Sequence, residues 1–121
     1  MSTPNLKALN EEVNQMILSG KALEAFEKFY SADVEMQENS MPPFKGKEVN
    51  RKREIEFFSS LEQFHGAEVR ASAVGDDVSF GEWMFDVTFK GGKRTKMEQV
   101  TVRRWKNGKI VSERFYYEGQ H

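Results

Sequence analysis

The chain has no cysteine, three prolines and two histidines among its 121 residues, and each scarcity removes a class of chemistry. Without thiols there is no disulfide framework, no thiolate nucleophile and no soft metal ligand. His65 and His121 lie far apart and offer no metal-ligand spacing; His65 reads as a structural or exposed side chain. Neither a phosphate-cradling glycine loop nor a G-x-S-x-G elbow occurs, so the sequence implies no cofactor. Charge of neither sign predominates, with 18 Lys and Arg against 19 Asp and Glu. No electrostatic case for nucleic acid or an anionic membrane follows from that balance. No apolar run approaches the roughly 20 residues of a membrane span. Met1-Ser-Thr-Pro4 lacks the basic and apolar segments of a signal peptide, so the expected compartment is the cytoplasm.

What the chain does have is aromatic side chains: ten Phe, three Tyr and two Trp. They argue for a packed core rather than disorder, and the length suits one domain over residues 1–121. The cluster Lys90-Gly-Gly-Lys-Arg-Thr-Lys96 falls where a hairpin tip is expected, so it reads as solvated charge.

The period of the apolar residues changes near Val69, from three and four to two. Thr3 and Pro4 read as N-cap and first position of a helix whose buried face is Leu6, Leu9, Val13, Met16 and Ile17, ended by Gly20. A second helix runs over 21–30, with Leu23, Phe26 and Phe29. Residues 33–38 form a short strand, with Val34, Met36 and Glu38 on one side. Met41-Pro-Pro-Phe44 reads as a loop, because proline has no ladder donor. A third helix is expected from Gly46 to about Glu62, with Val49, Ile55, Phe58 and Leu61 as its buried stripe. Four strands follow at about 68–74, 78–89, 93–106 and 109–118. Gly75-Asp-Asp77, Gly91-Gly92 and Asn107-Gly108 supply their turns.

Within 78–89 the phase Trp83, Phe85, Val87 and Phe89 is wholly apolar and should face the helices. In the last strand Val111, Glu113, Phe115 and Tyr117 share one phase; Ile110, Ser112, Arg114 and Tyr116 share the other. Alternation alone leaves open which phase of 93–106 points inward, Met97, Gln99, Thr101, Arg103 and Trp105 or Glu98, Val100, Val102 and Arg104.

Three helices followed by a long antiparallel sheet is an α+β arrangement. In element order and spacing, the chain resembles the SnoaL-like branch of the nuclear transport factor 2-like superfamily. Phe29-Tyr-Ser-Ala-Asp-Val34, Pro42-Pro-Phe-Lys-Gly46, Trp105-Lys-Asn-Gly-Lys-Ile-Val111 and Phe115-Tyr-Tyr-Glu118 carry the resemblance, which covers nearly the whole chain. It implies a cone-shaped α+β barrel, its three N-terminal helices packed on a curved, mainly antiparallel sheet around a pocket. It also favours the Met97 phase inward. The expected pocket residues are Met36, Phe44, Phe58, Trp83, Phe85, Val87, Gln99, Thr101, Arg103, Phe115 and Tyr117. Related folds dimerise through the outer sheet face, which makes Val100, Val102, Ile110 and Tyr116 candidates for a homodimer interface.

Fold alone does not name a reaction. Glu38 is the first candidate for chemistry. Alternation places it on the core side with Val34 and Met36, where desolvation would raise its pKa toward a general-base value. If the strand frays first, Glu38 instead sits in water. The resemblance puts the catalytic carboxylate of ketosteroid isomerases at this strand end. The positions matching that family's oxyanion donors are Val13 and Thr101, which argues against the same reaction. Glu113 is a second acid or base, paired with Arg103 if both face inward. The expectation is a protein that binds a small hydrophobic molecule. If catalytic, it is a cofactor-free isomerase, cyclase or dehydratase with Glu38 as base. The alternative is a non-catalytic dimeric interaction module.

Overall fold

A computed structural model of the protein describes residues 5–118. Its elements are α1 (Leu6–Leu18), α2 (Ala22–Phe29), β1 (Tyr30–Glu38), β2 (Phe44–Lys45), α3 (Lys47–Ser59), β3 (Leu61–Val74), β4 (Val78–Phe89), β5 (Arg94–Lys106) and β6 (Lys109–Tyr116). The six strands form one sheet in the order β2-β1-β6-β5-β4-β3. The β1–β6 pair is parallel and every other pair is antiparallel. Among the described residues no helix is long and apolar enough to cross a membrane.

The Thr3–Pro4 helix start lies outside the described residues. Asn5 is the N-cap, its Oδ1 accepting a bond from the Ala8 N–H at 3.3 Å. The other end closes as a Schellman turn: Gly20 takes φ 79°, its N–H donates to Ile17, and the Lys21 N–H donates to Met16. That turn folds α2 back on α1. Val13, Ala25, Phe26, Phe29, Tyr30, Val34, Met36, Trp105 and Ile110 then form the main core, with Leu6, Leu9, Met16 and Ile17 packed around it.

Three expectations need correction. The third helix ends at Ser59, and Leu61 opens a 14-residue β3 that begins well before the expected Glu68. Its anticipated stripe is only partly turned inward: Phe58 is half-buried, Val49 and Ile55 are each 46% exposed, and Asn50 is fully buried. Asn50 is satisfied there, donating from Nδ2 to the carbonyls of Phe44 and Gly46 at 2.9 Å each. It ties the helix start to β2, a two-residue strand inside the segment expected to be loop.

The third correction concerns β6. Trp105 pairs with Ile110 while Arg104 pairs with Ser112, so one extra residue is accommodated in β6. This bulge reverses the phase, and Ile110 and Glu113 both point inward. Ile110 is fully buried in the chain's own core and is not on the outer face where period-two counting placed it. On β5 the inward phase is Met97, Thr101, Arg103 and Trp105, all buried.

Candidate functional site

Between α2, α3 and the inner face of the sheet lies a cavity of about 350 Å³. Strand alternation builds its sheet wall: Trp83, Phe85 and Phe89 from β4, Met97, Gln99, Thr101 and Arg103 from β5, and Glu113 and Phe115 from β6. Trp83 and Phe85 stack at 5.4 Å with planes 5° apart. The indole lies against the backbone of Gly81, where a Cβ would stand 2.7 Å from Nε1, so a side chain at 81 would displace the indole. The opposite wall is α3, which presents Arg53, Glu54, Phe57 and Phe58 at helical spacing.

The deep end is a closed polar network. Arg103 donates from Nε to Glu113 at 2.9 Å and from Nη1 to Asn10 and Asn14 at 2.9 and 2.7 Å. The Tyr30 hydroxyl donates to the other Glu113 oxygen at 2.6 Å. Ser79 donates to Asn10 at 2.8 Å and accepts from the Trp105 indole at 2.9 Å. Arg103 and Glu113 are 4% and 3% exposed. Burial, and then the charge of Glu113, push the Tyr30 phenol well above its ordinary value. This phenol stays protonated and serves as a fixed donor.

Glu38 does face the cavity, and it comes with partners. Arg53 stands 3.7 Å from its carboxylate, and the Tyr117 hydroxyl donates to it at 3.2 Å. Arg53 is itself held, donating to Asn50 at 2.9 Å and lying 3.9 Å over the Phe44 ring.

Glu54 differs from both. No hydrogen bond or ion pair reaches its carboxyl from the described residues, yet it lines the same cavity. Burial raises its pKa, the charges of Glu113 and Glu38 add to that, and Arg53 offsets only part; the result is about 7. At neutral pH this carboxyl is divided between its acid and its conjugate base, the condition under which one group both gives and takes protons.

Of the expected pocket residues, Met36, Phe58, Trp83, Phe85, Gln99, Thr101, Arg103 and Phe115 line the cavity together with Glu38 and Glu113. Three stand elsewhere. Val87 is fully buried but packs away from the cavity surface. Phe44 is 37% exposed under Arg53. Tyr117 is not among the lining residues and donates to Glu38, which is. Val13 is fully buried core. His65 bonds to Thr88 at 2.7 Å, and His121 lies outside the described residues. Sequence reading missed Glu54 and Arg53. The available signal was spacing: Glu54 precedes Phe58 by four and follows Asn50 by four, so all three share one face of α3.

The SnoaL-like domain model matches residues 5–117. The chain belongs to the SnoaL-like family. A proposed SnoaL-like polyketide cyclase from Mesorhizobium loti is 30% identical, with a TM-score of 0.81 over 93% of this chain and 99% of that one. A second proposed SnoaL-like polyketide cyclase, from Jannaschia sp. CCS1, is 12% identical and covers 92% and 86% at 0.78. A protein of ketosteroid isomerase-like fold from Catenulispora acidiphila, solved with trimethylamine, is 16% identical and covers 96% and 87% at 0.73. At 12% and 16% these last two likenesses show the fold alone. No curated protein matches this SnoaL-like chain.

Proposed function

We propose that this SnoaL-like protein binds a small hydrophobic molecule in its aromatic cavity and transfers a proton on it without a cofactor, in an isomerisation, cyclisation or dehydration. The observation that carries this reading is Glu54: a carboxyl on the wall of an aromatic-lined cavity, without a partner among the described residues and with its pKa near 7. Glu38, the base expected from sequence, takes a supporting role, because Arg53 and Tyr117 already engage it. Glu113 is committed to Arg103 and Tyr30. A cavity of about 350 Å³ lies within the range that holds a compact aromatic or alicyclic molecule. The 30% identical Mesorhizobium loti relative, itself a proposed cyclase, agrees with carbon-centred proton transfer.

A homodimer through the outer sheet face belongs to the same proposal. Val100 and Tyr116 are each 42% exposed and are cross-strand neighbours, with Val102 beside them on β5. Phe80, also 42% exposed, pairs with Val102 and extends the patch.

The test is 5-nitrobenzisoxazole, a neutral aromatic whose ring opens when one carbon-bound proton is abstracted. The protein should accelerate the opening, with a rate that rises with pH around 7. Glu54→Gln should remove the acceleration while Glu38→Gln keeps most of it. An unchanged rate in Glu54→Gln would defeat the assignment.

A further inference from the structure

Resting on the reading of the cavity as a ligand site, we infer that its ligand is a small aromatic or alicyclic molecule carrying a protonated amine, whose ammonium pairs with Glu54. The charges on the cavity wall point to this class. Five charged side chains line it: Glu38, Arg53, Glu54, Arg103 and Glu113. Four of them form two couples, Arg53 with Glu38 at 3.7 Å and Arg103 with Glu113 at 2.9 Å. Glu54 remains, and no described side chain completes it.

Three kinds of ligand can be compared at that carboxylate. An anionic one would meet Glu54 directly, and the two guanidiniums that could receive it already hold carboxylates. A neutral apolar one would strip the remaining water from Glu54 and favour its protonated form, so above pH 7 its binding carries the cost of taking up a proton. A cationic one supplies the missing partner. It also meets the rest of the wall favourably, since ammonium groups are attracted to aromatic faces. Phe57 and Phe58 follow Glu54 by three and four residues on the same helical face, and the stacked Trp83–Phe85 pair stands on the sheet wall.

Three probes of one shape separate these cases: N,N-dimethylbenzylamine (a cation), isobutylbenzene (its uncharged carbon analogue) and phenylacetate (an anion). Binding is followed at pH 8 through the methyl NMR signals of Met36 and Met97, which line the cavity, in the full chain. The amine should bind at least about ten-fold more tightly than isobutylbenzene, a difference of about 1.4 kcal/mol, and phenylacetate should bind most weakly. Glu54→Gln should bring the amine down to the level of isobutylbenzene and leave isobutylbenzene itself unweakened, which also shows that the variant folds. If isobutylbenzene binds the wild type as tightly as the amine, the amine inference fails and the hydrophobic-ligand reading survives. If none of the three moves the methionine signals, both fail.

Discussion

Glu113 and Glu54 line one cavity and are treated in opposite ways. Glu113 accepts from Arg103 and Tyr30, and Arg103 is held in turn by Asn10 and Asn14. The cluster joins α1, the start of β1, β5 and β6 at the deep end of the cavity. Glu54 stands on α3 without a partner among the described residues. The difference separates two uses of a buried carboxylate. A carboxylate held by an arginine and a phenol fixes geometry. An unsatisfied one costs stability and keeps its proton exchangeable near pH 7.

Breaking the satisfied side should have the larger effect. Arg103→Ala leaves Glu113 buried with only the Tyr30 phenol and deprives Asn10 and Asn14 of their shared donor. Removing one member of a buried ion pair costs about 3–5 kcal/mol, against a total stability of about 5–15 kcal/mol for such a domain. Urea unfolding should show a large loss of midpoint or no folded baseline. A loss under about 1 kcal/mol would mean that the network behaves like a surface pair.

Relieving the unsatisfied side should have the opposite sign. The Glu54 pKa rises from 4.5 in the unfolded chain to about 7 in the folded one, so between those values the folded state binds more protons. Stability conferred by this group is therefore fullest below pH 4.5 and falls as pH rises through 7. Above that, an ionised Glu54 costs about 3 kcal/mol, at about 1.4 kcal/mol for each pH unit of displacement. Glu54→Gln should stabilise the protein by up to about that amount at pH 8 and flatten its stability profile between pH 4.5 and 7. Thermal melts across that range measure both. A variant less stable than wild type at pH 8 would show that the carboxylate has a partner after all.

The two sides also differed in how far they could be read from sequence. β4 was legible to its ends at Val78 and Phe89, because one of its faces is uniformly apolar. The Asn107-Gly108 turn was equally plain, both residues taking positive φ. The bulge just beyond it was not, since nothing in Lys109-Ile-Val-Ser112 marks where a strand accommodates an extra residue, and that hid the burial of Ile110. Arg103 with Glu113 could be proposed as a couple from strand phase. Glu54 could not be found by searching α3 for an apolar stripe. The side of α3 that faces the cavity carries Arg53 and Glu54 beside Phe57 and Phe58, and fully buried Asn50 one turn earlier, so polar residues interrupt its apolar spacing. The apolar Val49 and Ile55 point outward instead. Hydrophobic periodicity locates cores, and it finds Phe58 but not Glu54 where a helix covers a cavity.

Glu38 and Arg53 stand between the extremes, and they sharpen the comparison most with the smallest change in stability. Their side chains are about a quarter exposed and 3.7 Å apart, so the couple is worth about 0–1 kcal/mol. Arg53→Gln removes this couple and the donor to Asn50, and should lower the unfolding midpoint by less than Arg103→Ala does. Its larger consequence is electrostatic: the Arg53 charge lowers the pKa of Glu54, while Glu38 and Glu113 raise it. Deleting that cation leaves three carboxylates around one cavity with only Arg103 to offset them. The Glu54 titration, followed by carboxyl carbon NMR, should shift upward from about 7, and proton abstraction from 5-nitrobenzisoxazole should shift its pH profile the same way. A Glu54 titration that stays in place, or moves down, would mean that the Arg53 charge does not act on Glu54.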